Sequence, residues 1–300
     1  MKILITGISG FVGPHLRHEL ETNGHEVVGL DRIASGDTVF ACDLTNTDAV
    51  LQSVDAQKPD AIAHLAALTS VKESWNNPDE YFSRNSEMTR NVLRAAQAAN
   101  NKIRVLVTSS SDVYGHQKKF PITEEATPNP QNPYAKSKLA QEKVAKEFSG
   151  SKVLISRSFN HTGPGASDAL VVGAFAKQIA LCEKEKQDIL RVGNLEASRD
   201  FLDVRDVVHA YRLLIERGRA GNIYNICSGT PRKIQLILGY LLSLSSKEIQ
   251  VTADPDRMRP SDVPEFWGSY KKINQETGWK PKIPFEQTLR DTLDYWRETI

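Results

Sequence analysis

Short apolar runs alternate with amphipathic, helix-periodic segments along the first half of this chain of 300 residues. The apolar runs predict strands at residues 2–6, 26–30, around Phe40, 61–66, 104–110 and 152–156. The periodic segments predict helices at residues 11–23, 46–57, 79–100 and 134–148. This alternation predicts an α/β fold with a doubly wound parallel sheet, in which ligands bind at the carboxyl ends of the strands.

The pattern becomes less regular in the second half of the chain, where prolines interrupt the region between 255 and 284. We expect residues 1–160 to form a domain built on the parallel sheet. Residues 161–300 are expected to form mainly a smaller lobe, with the chain returning to the sheet around 200–228.

Composition and charge exclude several classes of partner. The chain has 38 Lys and Arg against 37 Asp and Glu, so its net charge of +1 gives no electrostatic reason to expect nucleic acid or an anionic membrane. Its apolar runs are shorter than a membrane span or a signal-peptide core. The three cysteines, Cys42, Cys182 and Cys227, form neither a disulfide framework nor a metal pair. We therefore expect a cytoplasmic protein without a metal site.

The first chemical signal is a glycine-rich turn between the first strand and the first helix. Gly7, Gly10 and Gly13 would let the backbone turn tightly and approach a pyrophosphate at the helix N-terminus. Asp31, at the end of the second strand, could accept hydrogen bonds from both ribose hydroxyls and would repel a 2′-phosphate. Its neighbour Arg32 could instead hold that phosphate. The pair leaves NAD and NADP both open and slightly favours NAD.

The second signal is the spacing of Tyr134 and Lys138, which places both side chains on one face of a predicted helix. An ammonium beside the phenol would lower the tyrosine pKa and allow proton exchange near neutral pH. Tyr114 and Lys118 have the same spacing, but Gly115 and a nearby proline predict a loop there, so we reject that copy.

A cluster of hydroxyl groups, Thr108 to Ser111, ends a buried strand and forms the third signal. A hydroxyl there could orient a substrate carbonyl, although serines at strand ends also serve as turn formers.

These motifs together resemble the extended short-chain dehydrogenase/reductase family, of the epimerase/dehydratase type. The matching segments, in family order, are TGISGFVG (6–13), HLAA (64–67), SSSDVYG (109–115), YAKSK (134–138) and RSFNHTGPG (157–165). The resemblance implies that residues 1–160 are a Rossmann domain binding NAD(H) or NADP(H), and that the lobe binds a nucleotide-diphosphate sugar. It further implies a homodimer, in which helices 79–100 and 134–148 pair with their copies.

The resemblance also implies roles for individual residues. Tyr134 would be the acid/base, Lys138 its partner and Ser110 the carbonyl-orienting hydroxyl. The implied cofactor-binding residues are Gly7, Gly10, Phe11, Val12, Gly13, Asp31, Arg32, Asp43, Leu44, Leu65, Ala66, Ala67, Thr108, Tyr134, Lys138, Phe159 and His161. The implied substrate-binding residues are Ser70, Ser110, Asn160, Asn194, Arg199, Arg259 and Asp262.

The segments 192–211 and 258–264 resemble the branch of the family that acts on GDP-mannose-derived sugars. That branch holds a reductase of GDP-4-keto-6-deoxy-mannose and a GDP-mannose 4,6-dehydratase, and the chain length favours the shorter reductases. A dehydratase needs a second base, normally Glu, where this chain has Asp112, a carboxylate one methylene shorter. A UDP-sugar 4-epimerase and a non-catalytic cofactor-binding protein are further alternatives, both less favoured.

Overall fold

The computed structural model describes residues 1–148, 150–257 and 263–300, so the predicted substrate residues Arg259 and Asp262 lie outside the described residues. The strands, numbered in chain order, are β1 Lys2–Thr6, β2 Glu26–Asp31, β3 Val39–Ala41, β4 Ala61–His64, β5 Arg104–Ser110, β6 Lys152–Ser158, β7 Asn160–Thr162, β8 Ile189–Val192, β9 Ser198–Asp203, β10 Ile223–Ile226, β11 Pro231–Lys233, β12 Gln250–Ala253 and β13 Glu265–Phe266. The α-helices are α1 Val12–Thr22, α2 Thr47–Gln57, α3 Val71–Asn76, α4 Pro78–Ala99, α5 Pro133–Glu147, α6 Val171–Glu183, α7 Val204–Arg217, α8 Ile234–Ser243, α9 Lys271–Thr277 and α10 Phe285–Thr299.

A seven-stranded parallel sheet organises the fold, with strand order β10-β6-β5-β4-β1-β2-β3. The predicted α/β class is therefore confirmed. The strand order reverses between β1 and β4, and ligands of doubly wound sheets bind at such a switch point. The loops that follow β1 and β4 carry the glycine-rich turn and the HLAA segment.

Helices cover both faces of the sheet because its strands are apolar on both sides. One core cluster joins the strands to α1 and α7, through residues such as Leu16 and Leu214. The opposite cluster joins them to α2, α4 and α5, through Val50, Val92 and Val144. Burial on both faces fixes the strand positions and, with them, the loops at the carboxyl edge.

The smaller lobe has its own core, formed by α6, α8 and α10 with β8 and β9. Strand β9 pairs with β7, β11 and β13, and β8 pairs with β12. The chain rejoins the main sheet through β10, where Ile223 is aligned with Ile155 of β6. The lobe therefore follows β6, and the chain returns to the sheet through α7 and β10.

Two local features differ from the sequence expectations. Strand β4 ends at His64 and not at Ala66, and its last hydrogen bond to β1 runs from the Leu65 amide to the Thr6 carbonyl at 3.2 Å. The short helix α3, Val71–Asn76, follows and is capped by Ser70, whose hydroxyl accepts a hydrogen bond from the Glu73 amide. In the described part of the chain, no helix combines the length and apolar character needed to cross a bilayer.

Candidate active site

The glycine-rich turn is built around close backbone contacts. Gly7 has φ of +71°, and a Cβ on it would lie 2.8 Å from the Ala66 Cα. A Cβ on Gly13 would lie 2.0 Å from the Ile8 carbonyl oxygen. These two glycines are therefore required by packing between β1, α1 and the loop after β4.

The third glycine faces open space. Within 4 Å, a Cβ on Gly10 would meet only the Gly7 carbonyl oxygen, at 3.3 Å, and the residue is exposed. Helix α1 begins at Val12 with no side-chain cap and no acidic residue in its first turn. No side chain therefore competes with an anionic ligand at this helix end, which is the fit that a dinucleotide pyrophosphate needs.

Asp31 lies at the end of β2, beside this turn. Its carboxylate accepts a 2.9 Å hydrogen bond from the Ser9 amide and a 2.8 Å bond from the Arg32 amide. The side chain of Arg32 is exposed. Two lone pairs of the carboxylate remain for ribose hydroxyls, since an ionised carboxylate offers about four acceptor positions.

The HLAA loop is held by a buried histidine. Thr89 on α4 donates to the Asn85 carbonyl, so its hydroxyl oxygen must accept from Gln141 Nε2 and from His64 Nε2. The other ring nitrogen, His64 Nδ1, is then an acceptor for the Thr6 hydroxyl at 2.8 Å. The Thr6 hydroxyl oxygen then accepts a 3.4 Å hydrogen bond from the Ala66 amide.

This network makes His64 a neutral, satisfied core histidine. Burial and the charge of Lys138 lower the pKa of His64 to about 3. Leu65, Ala66 and Ala67, which follow it, are half-buried along the edge of the glycine-rich turn.

Two of the predicted cofactor-binding residues, Asp43 and Leu44, lie after β3. Asp43 is exposed, and hydrogen bonds from the Thr45 amide and hydroxyl lower the pKa of its carboxyl. The Leu44 side chain is buried in the core, and its carbonyl accepts a 3.0 Å hydrogen bond from Asn91.

Helix α5 brings Tyr134 and Lys138 onto one face, at the carboxyl end of β5. The start of the helix is well defined, because Asn132 caps it and Pro133 occupies its first turn. Lys138 Nζ donates a 2.8 Å hydrogen bond to the Thr108 carbonyl, and burial lowers the pKa of Lys138 to about 7. The rejected copy is not a helical pair, because Tyr114 ends a short 3-10 turn and Lys118 lies in the loop beyond it.

The Ser110 hydroxyl lies close enough to the phenol of Tyr134 to lower the pKa of that phenol. Burial, followed by the charge of Asp112, raises the pKa of Tyr134, which is the opposite of the lowering expected beside Lys138. The Asp112 amide donates a 3.2 Å hydrogen bond to Ser110 Oγ. A protonated phenol, a hydroxyl, an ammonium group and a carboxylate thus meet at one strand end.

His161 faces the glycine-rich turn. Its ring stacks on Phe11 with centroids 6.1 Å apart, and its Nδ1 lies 2.9 Å from the Phe159 carbonyl oxygen. Phe159 itself is buried, and its ring packs against Tyr114 and Phe266. His15 on α1 contacts the same loop, because its Nε2 lies 2.9 Å from the Pro164 carbonyl oxygen. The sequence gives no signal for this contact.

The predicted substrate residues that the structure describes lie on different elements. Ser70 caps α3, and Asn160 of β7 donates to the Asp200 carbonyl at 3.4 Å. Asn194 is half-buried between β8 and β9. Arg199, half-buried on β9, donates a 2.8 Å hydrogen bond to the Ser198 carbonyl. Within the described residues, no group of three or more His, Cys, Asp or Glu could hold a metal ion.

The profile of one protein family, described as GDP-mannose 4,6 dehydratase, matches residues 4–292. The chain belongs to this family. A relative named GDP-6-deoxy-D-mannose reductase, from Pseudomonas aeruginosa, is 38% identical over 100% of this chain and 98% of its own. Another, GDP-6-deoxy-D-talose 4-dehydrogenase of Aggregatibacter actinomycetemcomitans, is 32% identical over 91% of this chain and 90% of its own.

Solved structures show the same fold with dinucleotides bound. The structure of RMD from P. aeruginosa complexed with NADPH has a TM-score of 0.90 and 37% identity, covering 100% of this chain and 99% of that chain. A Thermus thermophilus UDP-glucose 4-epimerase in complex with NAD has a TM-score of 0.88 and 28% identity, covering 100% of both chains. The predicted resemblance to the extended short-chain dehydrogenase/reductase family is confirmed.

Proposed function

We propose that this protein reduces the C4 ketone of a GDP-4-keto-6-deoxy-mannose with NADH or NADPH, giving a GDP-6-deoxyhexose of the GDP-rhamnose type. The observation that carries the proposal is the meeting of Ser110, Tyr134 and Lys138 at the carboxyl end of β5. Two family relatives, the GDP-6-deoxy-D-mannose reductase and the GDP-6-deoxy-D-talose 4-dehydrogenase, support it, because their names describe redox chemistry on GDP-6-deoxyhexoses.

The glycine-rich turn and the uncapped end of α1 would hold the pyrophosphate of the cofactor. When bound, the reduced nicotinamide supplies hydride to the ketone carbon. The other residues proposed to line the cofactor are Phe11, Val12, Asp31, Arg32, Asp43, Leu44, Leu65, Ala66, Ala67, Thr108, Tyr134, Lys138, Phe159 and His161.

Tyr134 would protonate the alkoxide that forms at C4. Its raised pKa keeps the phenol protonated at neutral pH, which suits a proton donor. Ser110, which lies beside the phenol, would hold the carbonyl oxygen at hydrogen-bonding distance. The Lys138 ammonium would stabilise the phenolate that remains after transfer.

The GDP end of the substrate would bind along the lobe. Arg199 and Arg259 are proposed to contact the diphosphate or nucleotide, because a guanidinium forms bidentate hydrogen bonds with phosphate oxygens. Asp262 is proposed to contact the nucleotide ribose. Ser70, Asn160 and Asn194 complete the proposed substrate contacts. Binding energy from these remote groups would position the ketone for reduction.

Dehydration of GDP-mannose is the second candidate function. It requires a base to remove the C5 proton, and Asp112 is a carboxylate close enough to raise the pKa of Tyr134 by its charge. The family name favours this reaction, whereas the named activities of the two relatives and the shorter side chain of Asp112 favour reduction. A UDP-sugar 4-epimerase and a non-catalytic protein are less favoured.

We also propose a cytoplasmic homodimer formed by α4 and α5. Helix α4 exposes the aromatic ring of Phe82, and a second copy would cover it. Cys42, Cys182 and Cys227 are buried free thiols, which fits a reducing compartment. Light scattering at micromolar concentration tests the dimer, and a monomer mass would contradict it.

Product analysis tests the proposed function. The protein is incubated with GDP-4-keto-6-deoxy-mannose and NADH or NADPH. We expect one equivalent of cofactor to be oxidised for each GDP-6-deoxyhexose formed, and absence of that product would overturn the proposal.

A further inference from the structure

One face of α5 contacts the last three residues of β5. Tyr134, Lys138 and Glu142 lie on this face at four-residue spacing. The phenol of Tyr134 lies beside the hydroxyl of residue 110, and Lys138 Nζ donates a 2.8 Å hydrogen bond to the carbonyl of residue 108. Glu142 Oε1 accepts a 2.7 Å hydrogen bond from the hydroxyl of residue 109. The first two contacts belong to the proposed catalytic pair, whereas Glu142 has no role assigned so far.

Glu142 is also half of a buried ion pair. Its carboxylate accepts hydrogen bonds from Arg157 Nε at 2.8 Å and Nη2 at 2.6 Å, and the two side chains are 0% and 2% exposed. Arg157 lies on β6 directly opposite Ser109 in the β5–β6 ladder. One carboxylate therefore ties α5 to two neighbouring strands.

The pair also reaches the turn that follows β5. The Arg157 guanidinium lies over the ring of Tyr114, 4.6 Å from its centroid. Tyr114 ends the 3-10 turn Ser111–Tyr114, which carries Asp112. Contacts on both sides therefore fix the short segment that holds Ser110 and Asp112.

We propose that Glu142 is a positioning residue for the reduction: together with Arg157 it holds Ser110 against Tyr134, and it places a carboxylate one helical turn from the Lys138 ammonium. The inference rests on the proposed reductase function and adds a residue to its machinery. If packing alone were needed, apolar residues of similar volume would serve as well as a buried ion pair, or better.

The charges around Lys138 come from several elements. Burial lowers the pKa of Lys138, and the carboxylate of Glu142 opposes that shift. His64 on β4 is neutral at working pH, and Arg157 on β6 is the ion-pair partner of Glu142. The phenol of Tyr134 is protonated. Removing the carboxylate should therefore make Lys138 lose its proton at lower pH.

The first test is Glu142→Gln, which keeps an acceptor for Ser109 but removes the charge. We expect kcat for ketone reduction at pH 8 to fall at least ~10-fold, with KM for both substrates changed less than about threefold. The alkaline limb of the kcat–pH profile should move down by about one pH unit or more. Glu142→Asp keeps the charge, so its alkaline limb should stay in place while kcat falls.

The double variant Glu142→Leu with Arg157→Met distinguishes a positioning role of Glu142 from a purely structural one. Because a buried ion pair can be replaced by apolar residues without loss of stability, this variant should unfold near the wild-type temperature. We expect its kcat and alkaline limb to stay displaced. Glu147→Gln is the matched control, since Glu147 lies on the same helix in an exposed ion pair with Arg90, and its profile should match the wild type.

Wild-type kcat and pH profile in either folded variant that lacks the carboxylate would overturn the proposal. If neither variant folds, Glu142→Asp decides, and wild-type kcat in that variant would overturn it. The wild-type enzyme is assayed first: lack of turnover overturns the proposed function, whereas wild-type turnover with unchanged variants overturns only the role of Glu142.

Discussion

The Ser9 amide donates a 2.9 Å hydrogen bond to Oδ2 of Asp31, which ties the glycine-rich turn to the end of β2. The same carboxylate would face the ribose of the cofactor, where it would accept hydrogen bonds from the ribose hydroxyls and repel a 2′-phosphate. The guanidinium of Arg32 would instead attract that phosphate. We expect the enzyme to use both cofactors, with a mild preference for NADH in kcat/KM.

Asp31→Asn keeps an acceptor for Ser9 and removes the charge. Two unit charges 4 Å apart interact by about 1 kcal/mol in water, so the NADPH/NADH ratio of kcat/KM should rise by roughly fivefold or more. Arg32→Ala should lower that ratio. A wild-type preference for NADPH above about 100-fold, which corresponds to ~2.7 kcal/mol, would contradict this account of Asp31.

The second prediction concerns proton transfer. Tyr134→Phe should lose at least ~10²-fold in kcat for ketone reduction, the usual contribution of one general acid. Lys138→Met should also lower kcat, because the phenolate left after transfer loses its cation. Lys118→Met, in the rejected copy of the motif, is the control and should retain wild-type kcat in steady-state assays. Equal losses in both lysine variants would contradict the assignment.

The third prediction is a pH dependence of stability. The pKa of His64 is lowered from 6.5 to about 3, so the unfolded chain binds a proton between these values that the folded protein excludes. The stability from neutral His64 is therefore present above pH 6.5 and is lost as the pH falls towards 3. Between pH 6.5 and 4.5 this loss approaches ~2.7 kcal/mol.

Urea unfolding at these two pH values measures the effect. His64→Gln should be less stable than the wild type at pH 7.5, but its free energy of unfolding should fall less between pH 6.5 and 4.5. His18→Gln, at an exposed position of α1, should keep the wild-type dependence. An unchanged dependence in His64→Gln would show that the acid sensitivity arises elsewhere.

The fourth prediction concerns GDP binding. If Arg199 and Arg259 hold the nucleotide end, Arg199→Ala and Arg259→Ala should each weaken GDP binding by about 1.5–3 kcal/mol, the contribution of a charged hydrogen bond. Calorimetry with GDP measures this, and Arg217→Ala, at the exposed end of α7, is the control. Unchanged GDP affinity in both arginine variants would remove them from the site.

The sheet and its covering helices can be predicted because their signals are local. Strands buried on both faces are continuous apolar runs, and α4 and α5 carry the helical period with Asn and Pro at their starts. The short strands β7 and β13, of three and two residues, have no such signal, because they are specified by pairing with β9.

In the candidate site, too, local features can be predicted from the sequence and contacts between distant segments cannot. The spacing of Tyr134 and Lys138 predicts a shared helix face, and continuing that spacing by four residues reaches Glu142. Its partner Arg157 cannot be identified from that spacing, because the two side chains meet only when β6 lies beside β5. The upward pKa shift of Tyr134 is likewise hidden from the sequence, because it depends on burial in the folded protein.

The choice between reduction and dehydration depends on Asp112, because Ser110, Tyr134 and Lys138 would serve both reactions. The carboxylate is needed to remove the C5 proton in dehydration, a step that ketone reduction lacks. In a reductase, Asp112→Asn should therefore retain most of its activity on the 4-keto sugar.

In the most direct measurement, the wild-type enzyme and the Asp112→Asn variant are each incubated with two substrate pairs in separate reactions. The products are then separated and identified. We predict that both proteins convert GDP-4-keto-6-deoxy-mannose and reduced cofactor to a GDP-6-deoxyhexose, and that neither releases a 4-keto-6-deoxy product from GDP-mannose and oxidised cofactor. Steady conversion of GDP-mannose to that product by the wild type, abolished in Asp112→Asn, would contradict the reductase account and establish the dehydratase.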